Sequence, residues 1–344
     1  MDIKENENIF TILPGVFYNP AMILSRSVSS SILEVLNEEL NILDCFSASG
    51  IRGLRYKLEN KNVNKIGFVD ISNKAIENIK QNLNNLGING KIYHSNVENV
   101  FEKLEEEYNF IELDPFGSPA PYTKYAVNYL KKKRGGYLSI TATDTAVLCG
   151  KDWRASIKYY NAMPLRNYFC HETGLRILFY HLVSEAFKQH MFVEPIISFY
   201  YRHQMKIIIK LSKRKNDNLI NSIGYVFWNK QSLKTDFKKI YETHLNLLAA
   251  GPLWIDRLEN KEILNKALKR TDKKTKIFIE KLIYEDDSIP YFYSLHAIGK
   301  MLSLSQLPKV KDVIKILGGN STITHFRGDG IKTKEYEKLI KLFK

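Results

Sequence analysis

Cysteine is scarce in this chain, and the three that occur, Cys45, Cys149 and Cys170, form no CxxC pair. Neither a disulfide framework nor a zinc ribbon is indicated, and a reducing compartment is expected. Long apolar runs are also missing. Nowhere do about eighteen apolar residues follow one another, the length that a membrane-spanning helix requires. The stretch from Met1 to Phe10 is acidic and asparagine-rich, without the apolar centre of an export signal. A cytoplasmic location is the expectation, with a nuclear or organellar one left open for a eukaryotic source. Internal repeats and low-complexity tracts are absent too. Acidic residues are in deficit: 51 Lys+Arg against 37 Asp+Glu give a formal charge of +14, which favours a polyanionic partner. With no membrane segment, nucleic acid is preferred over a lipid surface. A hydrophobic content of 44% is enough for packed cores, and 344 residues suit two unequal folding units.

From Leu40 onward, short apolar runs alternate with helical patterns, the signature of βα units building a parallel sheet. Strands are expected at Asn41 to Cys45, Lys65 to Asp70, Lys91 to His94, Phe110 to Asp114 and Tyr137 to Ala142. The second is followed by a helix with apolar positions Ala75, Ile76, Ile79, Leu83 and Leu86, ending at Gly87 as its C-cap. A long helix is expected from Pro164 to Phe187, then two strands, Pro195 to Tyr201 and Met205 to Leu211, completing the sheet as an antiparallel pair. The fold class is therefore α/β, a doubly wound, mostly parallel, Rossmann-like sheet with an antiparallel last strand. Ser212 to Asn218 reads as a solvated basic loop. A boundary near residue 245 leaves 246–344 as a smaller α+β unit. Its expected helices are Lys261 to Ala267, Ile277 to Tyr284 and Tyr293 to Leu302. A tail follows: helix Lys309 to Leu317, the Gly318-Gly319 turn, strand Ser321 to Phe326, then a further helix after Gly330, an order reminiscent of winged-helix modules.

Asp44 to Gly53 sits where the first sheet strand turns into its helix, a place where backbone N–H groups hold polar ligands. The early positions of a Gly-x-Gly-x-x-Gly loop are taken by Phe46 and Ala48, which disfavours a diphosphate. Asp70, ending the next strand, is placed to accept from ribose hydroxyls, so an adenosine cofactor fits. The loop alone is equally an ordinary strand–helix turn. Asn96 is a candidate adenine contact, and as a loop asparagine it is equally a turn cap.

Asp114-Pro115-Phe116-Gly117 follows the fourth strand at its carboxyl end, where open α/β sheets bind ligands. An exocyclic amine on a purine is a weak nucleophile because its lone pair is delocalised into the ring. A carboxylate accepting from its N–H returns electron density, the role expected of Asp114. The Pro115 carbonyl would accept the second hydrogen, and Phe116 offers a flat face to an everted base. An Asp-Pro pair after a strand is also a common turn; its place in the strand order favours chemistry. Glu112 is either a second carboxylate at the site or a solvated edge residue. His171-Glu172 reads as structural, since no second histidine follows at helical spacing.

Ordered stretches run through the whole chain: Val16 to Met22 with Arg26, Ser47 to Arg55, Asp114 to Pro119, Thr141 to Ala146 with Leu148 to Gly150, Pro164 to Asn167 with Cys170 to Glu172, Gly251 to Trp254, and Thr324 to Phe326 with Gly330 to Thr333. Together they resemble the tRNA guanine-26 N2-dimethyltransferases. The resemblance implies a class I methyltransferase fold using S-adenosylmethionine, with Asp114, Pro115 and Phe116 catalytic. It implies donor contacts from Arg26, Ser47, Gly50, Arg52, Asp70, Ile71, Asn96 and Val97, and a second unit that helps to hold tRNA. Ser25 stands where the family usually has Asn, and Asn96 where it has an acidic residue. Some relatives carry paired cysteines before the Gly-Pro-Leu-Trp segment; this chain has none, so no metal is expected, nor any obligate protein partner, and a monomer is anticipated. The competing readings are a tRNA-binding module without turnover, an amino-methyltransferase acting on another base, including adenine N6 in DNA, and a nucleotide-dependent oxidoreductase.

Overall fold

A computed structural model describes residues 1–213, 220–241, 246–319 and 321–343. The expected basic loop Ser212 to Asn218 therefore lies, from residue 214 on, outside the described residues. The chain opens with a hairpin of β1 (Asp2–Glu5) and β2 (Asn8–Thr11), followed by α1 (Ile23–Leu33). The alternating stretch then gives β3 (Leu40–Cys45), α2 (Ile51–Glu59), β4 (Val63–Asp70), α3 (Asn73–Leu86), β5 (Lys91–His94), α4 (Val97–Lys103), β6 (Phe110–Leu113), α5 (Ala120–Lys132) and β7 (Gly135–Ala142). Next come α6 (Thr145–Leu148), α7 (Trp153–Tyr160) and α8 (Cys170–Lys188), leading into the hairpin β8 (Phe192–Tyr201) and β9 (Gln204–Ser212). The expected helix from Pro164 starts only at Cys170.

These strands form one sheet in the order β5-β4-β3-β6-β7-β9-β8. β3 to β7 pair in parallel, and β9 runs antiparallel to both of its neighbours. Period-two alternation sends side chains to two cores. Leu43, Cys45, Ile111, Leu113, Leu138 and Ile140 pack on one face, and Ile42, Ile66, Phe68, Phe110 and Ile208 on the other. In α3, the Ser72 side chain accepts from the Ala75 N–H, and Gly87 at φ 62° closes the helix, the start and stop that its sequence pattern calls for.

Beyond the sheet lie β10 (Ile223–Trp228), β11 (Thr235–Lys238) and β12 (Leu248–Trp254), paired in the order β11-β10-β12. The sequence pattern does not reveal this small sheet, because its strands are short and β12 carries Gly251-Pro252, residues that read as a break. The boundary near residue 245 falls between β11 and β12, both of which pair with β10. The remainder is α9 (Lys261–Ala267), α10 (Lys273–Tyr284), β13 (Tyr293–Ser294), α11 (Leu295–Met301), α12 (Val310–Leu317), β14 (Ser321–Ile323), β15 (Gly330–Thr333) and α13 (Tyr336–Lys341). The expected helix Tyr293 to Leu302 thus begins with two residues of strand, drawn into pairing by β15. The strand expected through Phe326 stops at Ile323, and β15 intervenes before the last helix.

Buried charge joins α8 to this tail. Glu172 Oε1 accepts from Lys332 Nζ at 2.5 Å and Arg176 Nε at 3.1 Å, and Lys332 also lies 3.0 Å from Glu285 Oε1. Arg176 in turn donates to the carbonyls of Trp254, Asp256 and Asp287. Removing one member strands the others without compensation. Lys332→Met is expected to cost about 3–5 kcal/mol, read as an earlier midpoint in urea unfolding; an unchanged midpoint would show that the network contributes nothing net.

Candidate active site

The strand order reverses between β3 and β6, and the chain leaving β3 there is unusual. Phe46, Ala48 and Gly50 have φ of 63°, 48° and 75°, so left-handed residues alternate with ordinary ones. Only glycine adopts this without steric cost; the other two carry about 1–3 kcal/mol each. Hydrogen bonds offset that strain. Ser47 N–H donates to Val69 O at 3.0 Å, Ser47 Oγ to Asp44 O at 2.6 Å, and Ala48 N–H to Asp70 Oδ2 at 2.7 Å. A side chain at Gly50 would meet Ile79 Cγ1 at 2.9 Å, so glycine is required there for space as well.

Asp70 Oδ1 accepts from Ser72 N–H at 2.8 Å, leaving one further lone-pair direction on each oxygen. Ile71 beside it is exposed. Ser95 N–H donates to Asp70 O at 3.2 Å, which brings Asn96 and Val97 to the same edge. Asn96 caps α4 by accepting from Asn99 N–H at 2.9 Å, and Val97 is buried. Ser47, Gly50, Asp70, Ile71, Asn96 and Val97 therefore line one rim. Arg26 is fixed by bonds of its own: it pairs with both oxygens of buried Glu5 and donates to Asn19 O, while Arg55 takes Glu5 Oε2 at 2.9 Å.

Asp114 leaves β6 beside Cys45 and is bound by Arg52, with Nη2 to Oδ2 at 2.5 Å. Its side chain is 27% exposed, so it is open to a partner. Burial pushes its carboxyl up, but Arg52 and then Lys206 and Thr141 outweigh this and hold it below the usual carboxylate range. Arg52 Nη1 is buried without a hydrogen-bond partner among the described residues, with the Tyr56 hydroxyl close to the guanidinium. Glu112 is neither solvated nor at an edge: it is fully buried, ion-paired to Lys206, and accepts from Tyr56 OH at 3.0 Å. Register sets Asp44 directly beside Glu112, and burial followed by Glu112 pushes Asp44 up to about 8.

Phe116 is 78% exposed and meets Phe17 edge to face, with ring centres 4.8 Å apart. Gly117 N–H donates to Thr143 Oγ1 at 2.8 Å and Thr143 N–H to Gly117 O at 2.9 Å. Ser118, Tyr160 and Asp144 continue this anchor, with Tyr160 OH donating to Asp144 at 2.8 Å. Phe17 is carried by a segment fastened to α3: Asn82 bonds both the N–H and the carbonyl of Thr11, and Asn78 links Leu13 N–H to Ser49 O. Phe17, Thr143 and Asp144 lie in the ordered stretches quoted above, the one signal in the sequence that marks them. Glu5 and Lys206 carry no such signal.

Asp44 makes stability depend on pH. The folded chain keeps a proton on this carboxyl that the unfolded chain releases above about pH 4, so stability falls as pH rises from about 4 through 8. Asp44→Asn, which still accepts from Gly53 N–H, is expected to match the parent in urea at pH 4 and to exceed it increasingly toward pH 8. Parallel pH curves for the two chains would remove this role.

The family model for N2,N2-dimethylguanosine tRNA methyltransferase matches residues 1–343. A tRNA (guanine(26)-N(2))-dimethyltransferase of Pyrococcus horikoshii is 34% identical, with 96% of this chain and 92% of that protein covered. One from Aquifex aeolicus, named for guanine 26 and guanine 27, is 35% identical over 95% of this chain and 89% of its own. The solved structure of Trm1 from Pyrococcus horikoshii, in complex with S-adenosyl-L-methionine, superposes with a TM-score of 0.89 at 32% identity, covering 99% of each chain. The strand order, the Asp114 site and these matches lead to one conclusion: the chain belongs to the N2,N2-dimethylguanosine tRNA methyltransferase family.

Proposed function

We propose that the chain transfers methyl groups from S-adenosylmethionine to the exocyclic N2 of guanine-26 in tRNA, giving N2-methyl- and then N2,N2-dimethylguanosine. The observation that carries this reading is the pairing of an ionised, partly exposed Asp114 with the exposed ring of Phe116 at the carboxyl end of β6. When bound, S-adenosylmethionine supplies an electrophilic methyl group on a sulfonium. Asp70, with a lone pair to spare on each oxygen, suits the ribose hydroxyls. The amides of Ser47, Ala48 and Gly50 are taken up by Val69, Asp70 and Ser47, so the Ser49 amide and the Arg52 guanidinium suit the polar amino-acid end, and Ile71, Asn96 and Val97 the adenine. Arg26 completes the set, its pair with Glu5 fixing the direction of its guanidinium.

On the substrate side, Arg52 occupies Oδ2 of Asp114, and the other oxygen accepts from the guanine amine. The Pro115 carbonyl takes the second N–H. Phe116 stacks on the everted base with Phe17 bracing its ring, so the amine is oriented before transfer. Once methylated, the nitrogen is strongly acidic, and a carboxylate held ionised suffices to receive its proton. The lysine-rich helices after residue 245 hold the tRNA through phosphate contacts. The chain acts as a monomer in the cytoplasm, which suits its three free thiols. No helix among the described residues is long and apolar enough to cross a membrane.

Labelled methyl from S-adenosylmethionine is expected on an unmodified tRNA transcript and absent from one with guanine-26 replaced by adenine. Label on both would move the target; label on neither, with tight tRNA binding, would favour a module without turnover. Asp114→Ala is expected to abolish transfer while leaving tRNA affinity nearly unchanged, and comparable turnover would take Asp114 out of the mechanism. Affinity for tRNA should also fall steeply with salt as counterions are released; salt-insensitive binding would exclude a charge-dominated interface.

A further inference from the structure

Cys149 closes α6, and Cys170 and His171 open α8. Far apart in sequence, the two sulfurs and an imidazole nitrogen converge until all three lie within 4.8 Å of one another, each residue half-buried. The backbone holds them there. Gly174 lets α6 approach α8 so closely that a side chain at that position would meet the Leu148 Cβ and carbonyl at 3.0 Å. The His171 ring lies flat on Tyr200, with centres 4.1 Å apart, and the Tyr200 N–H is fixed by His325 Nε2 at 3.1 Å. Ligands whose directions are set by packing in this way form a preorganised site.

Two thiols and an imidazole are the donor set of soft or borderline d10 cations. With Zn–S bonds of about 2.3 Å, the edges of a tetrahedral site are about 3.8 Å, so a spread of 4.8 Å closes with small rotations about χ1. Cys170 sits in the first turn of the nineteen-residue helix α8, where backbone N–H groups favour the thiolate that a metal needs. Acidic residues do not contribute, which disfavours calcium and magnesium.

We infer that Cys149, Cys170 and His171 bind one cation of the zinc class through three protein ligands and an open fourth position. Binding releases the thiol protons. The bound ion ties the end of α6 to the start of α8, and so steadies Thr143, the residue that anchors Gly117 beside Phe116. Neither cysteine has a part in the methyl transfer argued above.

The test uses the reduced, metal-free full chain titrated with Co2+ and then Zn2+. One equivalent of Co2+ is expected to give thiolate charge-transfer bands and the intense visible bands of a tetrahedral ion, lost when Zn2+ displaces it. Cys149→Ser/Cys170→Ser, which keeps Cys45 as an internal control, is expected to give neither. His171→Gln keeps both thiols and should weaken binding by at least about a hundredfold, since even outer-shell changes cost 10–100-fold. Zinc should raise Tm in the parent and not in the double variant. The assignment is overturned if the parent binds no Co2+ at one equivalent, if the double variant keeps the thiolate bands, or if His171→Gln binds as tightly as the parent.

Discussion

Two cations set among three carboxylates underlie the whole site. Arg52 and Lys206 are the positive charges; Asp44, Glu112 and Asp114 the acidic groups, four of the five fully or almost fully buried. With Asp44 keeping its proton near neutral pH, Glu112 and Asp114 balance the two cations. A third anion would leave a net charge in a region with little water to screen it, at a cost of several kcal/mol. Arg52, with Lys206 and Thr141 behind it, holds Asp114 ionised, and Asp44 adds no competing anion beside them. Lys206 reaches Glu112 from β9, the antiparallel strand two places away in the sheet. That insertion, a detail of topology, thus has an electrostatic consequence at the end of β6.

The rim of the site rests on a second constraint, the left-handed residues after β3. Their strain persists because Asp70 and Val69 receive the amides that this conformation turns toward β4. Asp70, proposed above for the ribose, is thus also the group that shapes the loop. Asn78 extends the tie through Ser49 to Leu13, and the chain beyond Leu13 carries Phe17 to Phe116. A buried asparagine on α3 in this way couples the loop after β3, the proposed donor side, to Phe116, the proposed base side.

Much of this was legible in the sequence where a residue announces itself locally. The parallel strands are apolar runs ended by turn residues, and Asp70 and Asp114 stand at the ends of two of them. The span Lys91–His94 and helix Lys261–Ala267 have the limits their patterns imply. What stays hidden depends on partners far away in the chain. Glu5, in an acidic, asparagine-rich segment without an apolar centre, is buried because Arg26 and Arg55 converge on it. Helix α1 buries Ser25, Ser27, Ser29, Ser30 and Ser31, against the usual sense of apolar periodicity. Glu112 shares a face with Asp44 by register, yet nothing near it signals Lys206. Cys149 and Cys170 show no metal spacing, since it is helix packing that brings them together.

The joint between α8 and the tail bears on the proposed grip on tRNA. Glu172 is shared by Arg176 and Lys332, and Arg176 also collects three carbonyls from segments between Trp254 and Asp287. His325 lies between Glu285 and the Tyr200 N–H, at the carboxyl end of β8. The tail is thereby pinned at the edge of the sheet where β6 and β7 also end, the edge that carries Asp114 and Phe116. A substrate that spans both regions meets a surface whose two parts are already in register, so orienting the base needs little further ordering of the protein. In the proposed reaction, preorganisation of this kind directs binding energy toward everting and aligning the guanine. A loosely tethered tail would spend part of it on ordering itself.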